Sequence, residues 1–413
     1  MKITRLKTAV VEGNFDWTFV RLETDTGLQG LGECFFAPGL TAMLRDLEPV
    51  ILGEDPRDVR RLFRKLQWAA SGAGSVAGCV YNAITGIEAA LWDIVGQALG
   101  APIYQLLGGK FRDQVRIYAD CHGGEGLESL DSVLRSRAPS WTSDKSSHKP
   151  SDYFGSDGDE PTSSPEMYAK RAAEMAAQGF TALKFDIDVP NPHRRDPHNR
   201  SLGNEELDYM LGLIAAARKA VGLSVDIAVD CHWRFNLADA RRIAAGCEPF
   251  KLLWLEDALP PWSVDGFREL KLSSNTPIST GENLYLFEGF RSLIQKECLS
   301  VVSPDLQKVG GLTEARRIAE YADSYNVGVA PHNISSPIGT MASAHFCASI
   351  PNFLALEYHA SEVPFWDDLV ANRSEAGLIN NGYITVPEKP GLGITLNEEV
   401  ARRYARKDEP FFE

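Results

Sequence analysis

Six ionisable residues divide the second half of the chain at a nearly constant interval. Asp230, Glu256, Glu282, Asp305, His332 and Glu357 are separated by 26, 26, 23, 27 and 25 residues. Each lies at or near the end of a short apolar run. Eight such runs follow residue 114: VRIYA, ALKFD, DIAVD, KLLWLE, ISTGE, VVSPD, VGVAPH and LALEYH. Between them lie stretches with apolar residues at helical spacing, among them PEMYAKRAAEMAAQG, EELDYMLGLIAAARKAV, TEARRIAEYADSY and GTMASAHFCAS. Continuous apolar runs are the signature of parallel strands buried on both faces, and such strands are joined by helical crossovers. Eight units of this kind predict a (β/α)8 TIM barrel over residues 114–360, with the charged strand ends gathered at one rim.

The flanking segments have a different texture. Residues 1–113 read as an α+β domain. KITRLKTAVV and TFVRLETD alternate as strands, TGLQGLGE reads as a turn, and DPRDVRRLFRKLQ and YNAITGIEAALWDIVGQALG carry helical spacing around the loop SGAGSV. Residues 361–413 leave the barrel rhythm. There NGYITVPEKPGLGITL reads as strand, turn and strand, and is expected to return to the N-terminal domain. Two polar stretches, 136–164 and 187–203, follow barrel strands and are predicted to be loops on the active-site face.

Bulk composition narrows the function. The 413 residues carry a net charge of −14 with no long basic run, which argues against a nucleic-acid partner. No apolar run reaches membrane-spanning length, so no membrane association is expected. Seven cysteines are scattered singly without a Cys-x-x-Cys pair, which disfavours a disulfide framework or a zinc site. With no apolar signal core at the N-terminus, a cytoplasmic enzyme is expected.

The strand ends suggest the chemistry. Carboxylates on three successive strands repel one another unless a cation lies between them. Hard divalent ions take oxygen ligands, and Mg²⁺ keeps positions open for substrate. Asp230, Glu256 and Glu282 are therefore the predicted ligands of one Mg²⁺ per subunit. Asp305 and His332 end neighbouring strands, and a carboxylate beside an imidazole fixes its tautomer and makes it a general base. Lys184 and Asp186 end the second strand. In Asp230-Cys231-His232 the outer residues point the same way on a strand, so His232 is expected to face the same centre as Asp230. His345 reads as a packing residue within a helix. His148, His193 and His198 fall in loops, where solvation is the default.

At these residues the chain resembles the enolase superfamily, and within it the mandelate racemase subgroup. ALWDIVGQALGAPIYQLLGG, WLEDALPP, STGEN, SPDLQKVGGLTEARRIA, APHN and VPEKPGLGI carry the resemblance over nearly the whole length. It implies that the N-terminal domain and the C-terminal tail together cap the barrel mouth, with Phe15, Trp17 and the SGAGSV loop as specificity contacts. It supports the Mg²⁺ ligands and the Asp305–His332 base pair, and it implies that Glu357 hydrogen-bonds the substrate carboxylate. A homo-oligomer is implied by resemblance only.

Two local features refine this. The subgroup often carries Lys-x-Lys on strand 2, whose second lysine is a base on the opposite face. Here the motif is Lys184-Phe185-Asp186, which weakens a racemase reading. Lys184 is left to offset negative charge on substrate or intermediate. Asp186 is open between orienting Lys184, binding a hydroxyl and a plain salt bridge. Asp230-x-His232 resembles the galactonate and mannonate dehydratases, which implies that His232 is the acid for the departing hydroxyl. Arg234 either holds a distal hydroxyl or caps the rim. The expected activity is Mg²⁺-dependent dehydration of an aldonate-type sugar acid to a 2-keto-3-deoxy acid, through C2 proton abstraction and an enediolate. The alternative is a racemase, epimerase or cycloisomerase on the same scaffold. A binding protein without turnover and a Schiff-base aldolase fit the residues less well.

Overall fold

The computed structural model describes residues 1–73, 76–121, 141, 163–189, 191–194 and 201–413. Most of the stretch 136–164, with His148, and residues 190 and 195–200 of the stretch 187–203, with His198, lie outside the described residues, as do Gly74 and Ser75 of SGAGSV.

The N-terminal region is an antiparallel meander of β1 (Ile3–Glu12), β2 (Asp16–Thr24) and β3 (Gln29–Cys34), with helices α1 (Leu40–Ile51), α2 (Val59–Ala69) and α3 (Cys79–Leu99) packed on it. The glycine-rich stretch expected to be a turn is mostly strand β3. The reason is close approach rather than chain reversal. A Cβ at Gly30 would stand 2.1 Å from the Ala90 carbonyl oxygen, and one at Gly32 would stand 2.1 Å from that of Gly86. These glycines let β3 lie directly against α3.

Among the described residues, eight strands then alternate with seven helices. The strands are β4 (Gln114–Asp120), β5 (Ala182–Asp186), β6 (Asp226–Asp230), β7 (Leu255–Glu256), β8 (Ile278–Thr280), β9 (Val301–Val302), β10 (Gly328–Val329) and β11 (Leu356–Tyr358). Neighbours from β4 to β10 pair in parallel and in sequence order. β11 pairs in parallel with β4, and Val329 bridges Phe353 in parallel, which closes the ring. This is the expected barrel. Trp254, Tyr118, Ala182, Ala228, Val301, Ala330 and Ala355, each in a barrel strand or directly beside one, form one buried cluster. A larger apolar cluster joins the strands to the surrounding helices.

The C-terminal hairpin differs from the expectation. Its strands are β12 (Ile379–Asn380) and β13 (Tyr383–Thr385), and β13 pairs antiparallel with barrel strand β4. The turn is Asn381-Gly382, with φ of 50° and 74°, the pairing that favours a tight hairpin. It lies earlier in the chain than the expected turn at the proline-glycine segment. The last residues do reach the N-terminal sheet. Ala405 bridges Val11, Phe411 bridges Ala9, and the Arg406 guanidinium lies 2.7 Å from Asp16.

Two acids of the N-terminal domain cross the seam to barrel helices. Glu33 accepts from the backbone N–H groups of Ser336 and Gly339 at 3.0 and 2.9 Å, at the start of helix Pro337–Ala348. Glu88 accepts from Leu312 and Thr313, both at 3.0 Å, at the start of helix Gly311–Asp323. Negative charge at a helix N-terminus satisfies its unpaired donors and meets the positive end of its dipole.

Candidate active site

Asp230 ends β6, Glu256 ends β7, and Glu282 follows β8. Each offers one carboxylate oxygen, and the three oxygens lie within 4.8 Å of one another. Asp230 and Glu256 are fully buried. Glu256 Oε1 has no hydrogen-bond partner, while Trp254 Nε1 donates to Oε2 at 2.8 Å. Burial raises the Glu256 carboxyl well above its ordinary range, and the nearby Asp230, Glu282 and Glu357 add to the rise. Burial also acts on Asp230, but His232 and Lys184 outweigh it and hold that carboxyl low. An all-oxygen trio with one orphaned buried oxygen fits a hard divalent cation. Asp186, Asp230 and His232 form a second clustered trio, which shares Asp230 and includes an imidazole already spent on Asp188.

Lys184, on β5, stands among four acids. Its Nζ lies 2.7 Å from Glu357 Oε1, 3.1 Å from Asp230, 3.7 Å from Asp120 and 3.8 Å from Glu256. Burial would lower its pKa, but these carboxylates reverse that and push it well up. The lysine is a fixed positive charge beside the trio.

His332 follows β10, and its Nδ1 lies 2.6 Å from Asp305 Oδ2. An ionised carboxylate only accepts, so Nδ1 carries the proton and Nε2 is the working nitrogen. Nε2 lies 3.5 Å from Glu282 and 3.8 Å from Glu357. Burial lowers the imidazole, and with no cation beside them Glu357, Glu282 and Asp305 together overcome it and lift it to about 10; a cation shared by Glu282 would offset part of that rise, which a base working near neutral pH requires.

His232 lies just beyond β6 with its Nδ1 3.0 Å from Asp188 Oδ1 and its Nε2 4.0 Å from Asp186 Oδ1. Burial again lowers the imidazole, and Asp188, Asp230 and Asp186 outweigh it and raise it. The chain here winds around Asp230, whose Oδ1 accepts from Cys231 N at 2.7 Å and His232 N at 3.1 Å. Asp230, Glu256, Glu282, Asp305, His332, His232, Lys184, Glu357 and Asp186 thus share one connected centre at the expected rim.

The remaining predicted residues are placed differently. Phe15 is buried and stacks on Phe36 at 4.8 Å, with the His359 ring 5.4 Å away. Trp17 is buried in the seam, and its Nε1 donates to the Ile334 carbonyl at 3.3 Å. It braces the segment after His332. Arg234 is partly buried in the turn after β6, with its N–H donating to Cys231 O at 3.0 Å. His345 is packed as expected: its Nε2 lies 3.1 Å from Leu392 O and its Nδ1 accepts from Tyr104 N–H at 3.4 Å. His193 is exposed.

Sequence reading missed Asp120, Asp188, Asp257 and Glu33. Asp120 ends β4, and the strand-end rule finds it once that strand is extended by one residue. Asp188 lies two residues beyond Asp186, the same offset that linked Asp230 to His232. Asp257 has φ of 43° and accepts from Thr280 Oγ1 and Asn283 Nδ2. No sequence signal separated it from Glu256.

Known proteins match the chain throughout. Residues 7–108 match the profile described as mandelate racemase / muconate lactonizing enzyme, N-terminal domain. Residues 167–400 match the one described as enolase C-terminal domain-like. D-xylonate dehydratase of Haloferax volcanii is 40% identical over 100% of this chain and 91% of its own length. A D-galactonate dehydratase family member of Musicola paradisiaca is 30% identical over 98% and 94%. The crystal structure of a mandelate racemase/muconate lactonizing enzyme-like protein from Rubrobacter xylanophilus superposes with a TM-score of 0.88 at 39% identity, covering 100% of this chain and 99% of that one. Full-length matches of this kind, on a barrel with an acid trio and an Asp–His pair at its rim, make the chain a member of the mandelate racemase/muconate lactonizing enzyme family of the enolase superfamily.

Proposed function

We propose that this chain is a Mg²⁺-dependent acid-sugar dehydratase that converts an aldonate to a 2-keto-3-deoxy acid. The observation that carries the reading is the pair of imidazoles beside the acid trio, His332 buried and His232 partly buried, each held through Nδ1 by its own aspartate. One can take a proton and the other can give one. The full-length similarity to a D-xylonate dehydratase supports the same chemistry and makes D-xylonate the first substrate to try, with D-galactonate second.

Asp230, Glu256 and Glu282 would hold one Mg²⁺ per subunit. Bound there, the ion supplies positive charge that anchors the substrate carboxylate and acidifies the C2 proton. His332 Nε2 takes that proton while Asp305 holds the ring. Lys184, already a buried cation, offsets the negative charge left on the substrate as an enediolate. His232 Nε2 gives a proton to the C3 hydroxyl. The C3–O bond breaks, water leaves, and the resulting enol tautomerises to the keto acid. Glu357 keeps Lys184 in place and accepts from Asn333 N–H at 2.8 Å, which ties the loop after His332 to the lysine. Glu357 Oε1 accepts no hydrogen bond beyond its ion pair with Lys184, and Glu357 stays the proposed hydrogen-bond partner of the substrate carboxylate. Phe15 and Arg234 remain the proposed contacts to the rest of the substrate, with Asp186 beside the leaving group. The aspartate at position 186 stands where a second base would serve a racemase, which favours elimination over isomerisation.

All seven cysteines are free thiols, which supports a reducing, cytoplasmic setting. Among the described residues no helix is long and apolar enough to cross a membrane. The resemblance to the family supports assembly as a homo-oligomer.

The test is incubation of purified protein and Mg²⁺ with a panel of aldonates, including D-xylonate and D-galactonate, followed by semicarbazide detection. A keto acid 18 mass units lighter than its substrate is expected. An isomer of unchanged mass would instead establish the racemase or epimerase alternative.

A further inference from the structure

We propose that Asp188 is the positioning residue for His232: it holds the imidazole by Nδ1 so that Nε2 is presented to the leaving hydroxyl. The proposal rests on the reading of His232 as the proton donor in dehydration.

Strand β5 spans Ala182–Asp186, but its pairing runs further. Ile187 N donates to the Asp230 carbonyl at 3.0 Å, so the extended backbone continues beside β6. Side chains alternate along extended chain. Ile187 and Val189 accordingly enter the apolar cluster, while Asp186 and Asp188 turn to the side that His232 occupies. Tyr168 Oη donates to the Asp186 carbonyl at 2.6 Å and fixes the segment from the outside. Asp188 is 4% exposed.

His232 needs an anchor. It and Trp233 have φ of 41° and 54°, a left-handed conformation that non-glycine residues adopt at a cost and keep only where their surroundings impose it. The turn is imposed by Asp230, which binds the backbone of Cys231 and His232. That fixes the main chain and leaves the ring free to rotate. Among the described residues, the His232 ring has one aspartate within hydrogen-bond distance, Asp188 at 3.0 Å, while Asp186 stands at 4.0 Å. A carboxylate on Nδ1 selects the orientation and leaves Nε2–H as the group that can transfer. The pairing repeats that of Asp305 and His332: in both, the aspartate and the histidine follow adjacent parallel strands, β9 and β10 there and β5 and β6 here, with the aspartate after the earlier strand.

The experiment compares wild type, Asp188→Ala, Asp188→Asn and His232→Asn with Mg²⁺ and D-xylonate in D2O. Keto-acid formation reports dehydration, and deuterium entering C2 of recovered substrate reports proton abstraction. Asp188→Ala is expected to lower kcat for dehydration on the order of 10²-fold while C2 exchange and KM stay near wild type. Asp188→Asn keeps an acceptor for Nδ1 and should restore most of the lost rate. Equal loss of both partial reactions in Asp188→Ala, or normal dehydration, overturns the proposal. If His232→Asn itself dehydrates normally, the donor reading fails first. If His232→Asn separates the two reactions and Asp188→Ala does not, Asp188 alone is misassigned. A second readout needs neither turnover nor the alanine variant. Nitrogen-15 correlation spectra of the wild type, assigned by difference from His232→Asn, should show a proton on Nδ1 of His232. A bare Nδ1 there contradicts the proposal.

Discussion

Lys184 Nζ stands 2.7 Å from Glu357 Oε1, so the barrel's second strand and its eighth are joined through a buried ion pair on either side of β4. The same ammonium faces Asp230, Asp120 and Glu256. Removing one member of a buried charge group leaves the others uncompensated, a loss of about 3–5 kcal/mol. Lys184→Met should therefore lose about that much stability in denaturant titrations with EDTA. Added Mg²⁺ should return part of it, because the acids regain a cation. Unchanged stability in EDTA would mean that the acids do not depend on this lysine.

His332→Asn should abolish both dehydration and C2 exchange, a loss on the order of 10²–10⁴ in rate. His232→Asn should lose dehydration alone. Deuterium incorporation measured beside keto-acid release separates the two.

The imidazole of His332 also predicts a pH dependence. Its folded value is raised from 6.5 to about 10. A base whose folded value is raised stabilises the fold fully below its unfolded value and loses that contribution as pH rises through the folded value. In EDTA, the stability advantage of wild type over His332→Asn should be largest below pH 6.5 and shrink towards pH 10. Mg²⁺ beside Glu282 should flatten that slope, since one of the carboxylates that hold the imidazole proton is then shared with the ion. Urea unfolding at three pH values in this window measures it.

Glu33 links the N-terminal domain to the segment that carries His332. Its loss leaves the Ser336 and Gly339 N–H groups buried without their acceptor, a cost of about 1–3 kcal/mol. Glu33→Ala should show that loss in thermal unfolding, together with a raised KM, because the covering domain is no longer tied to the barrel rim. A KM equal to wild type would show that the link serves folding alone.

The barrel was legible in the sequence because its strands are buried on both faces and its charged ends recur once per βα unit. The same regularity marks the acid trio, Asp305 and His332 in the sequence itself. What was not legible depended on approach between distant segments. Gly30 and Gly32 resemble turn residues until α3 is seen against them, and the bond from Trp17 to Ile334 has no local signal. The Asn381-Gly382 turn carried its own local signal, but the partner of its hairpin, β4, lies more than 260 residues earlier in the chain. Glu33 reads as one more strand-end acid, and only the fold reveals the helix start that it meets.

The central claim is that Asp230, Glu256 and Glu282 hold one divalent cation beside His332. Crystals soaked in Mn²⁺ and measured for anomalous scattering test it most directly. One peak bonded to an oxygen of each of the three, at about 2.0–2.2 Å, is predicted, and it should vanish in Glu256→Gln. Ordered Mn²⁺ elsewhere with none among these acids, or a peak untouched by Glu256→Gln, would contradict it.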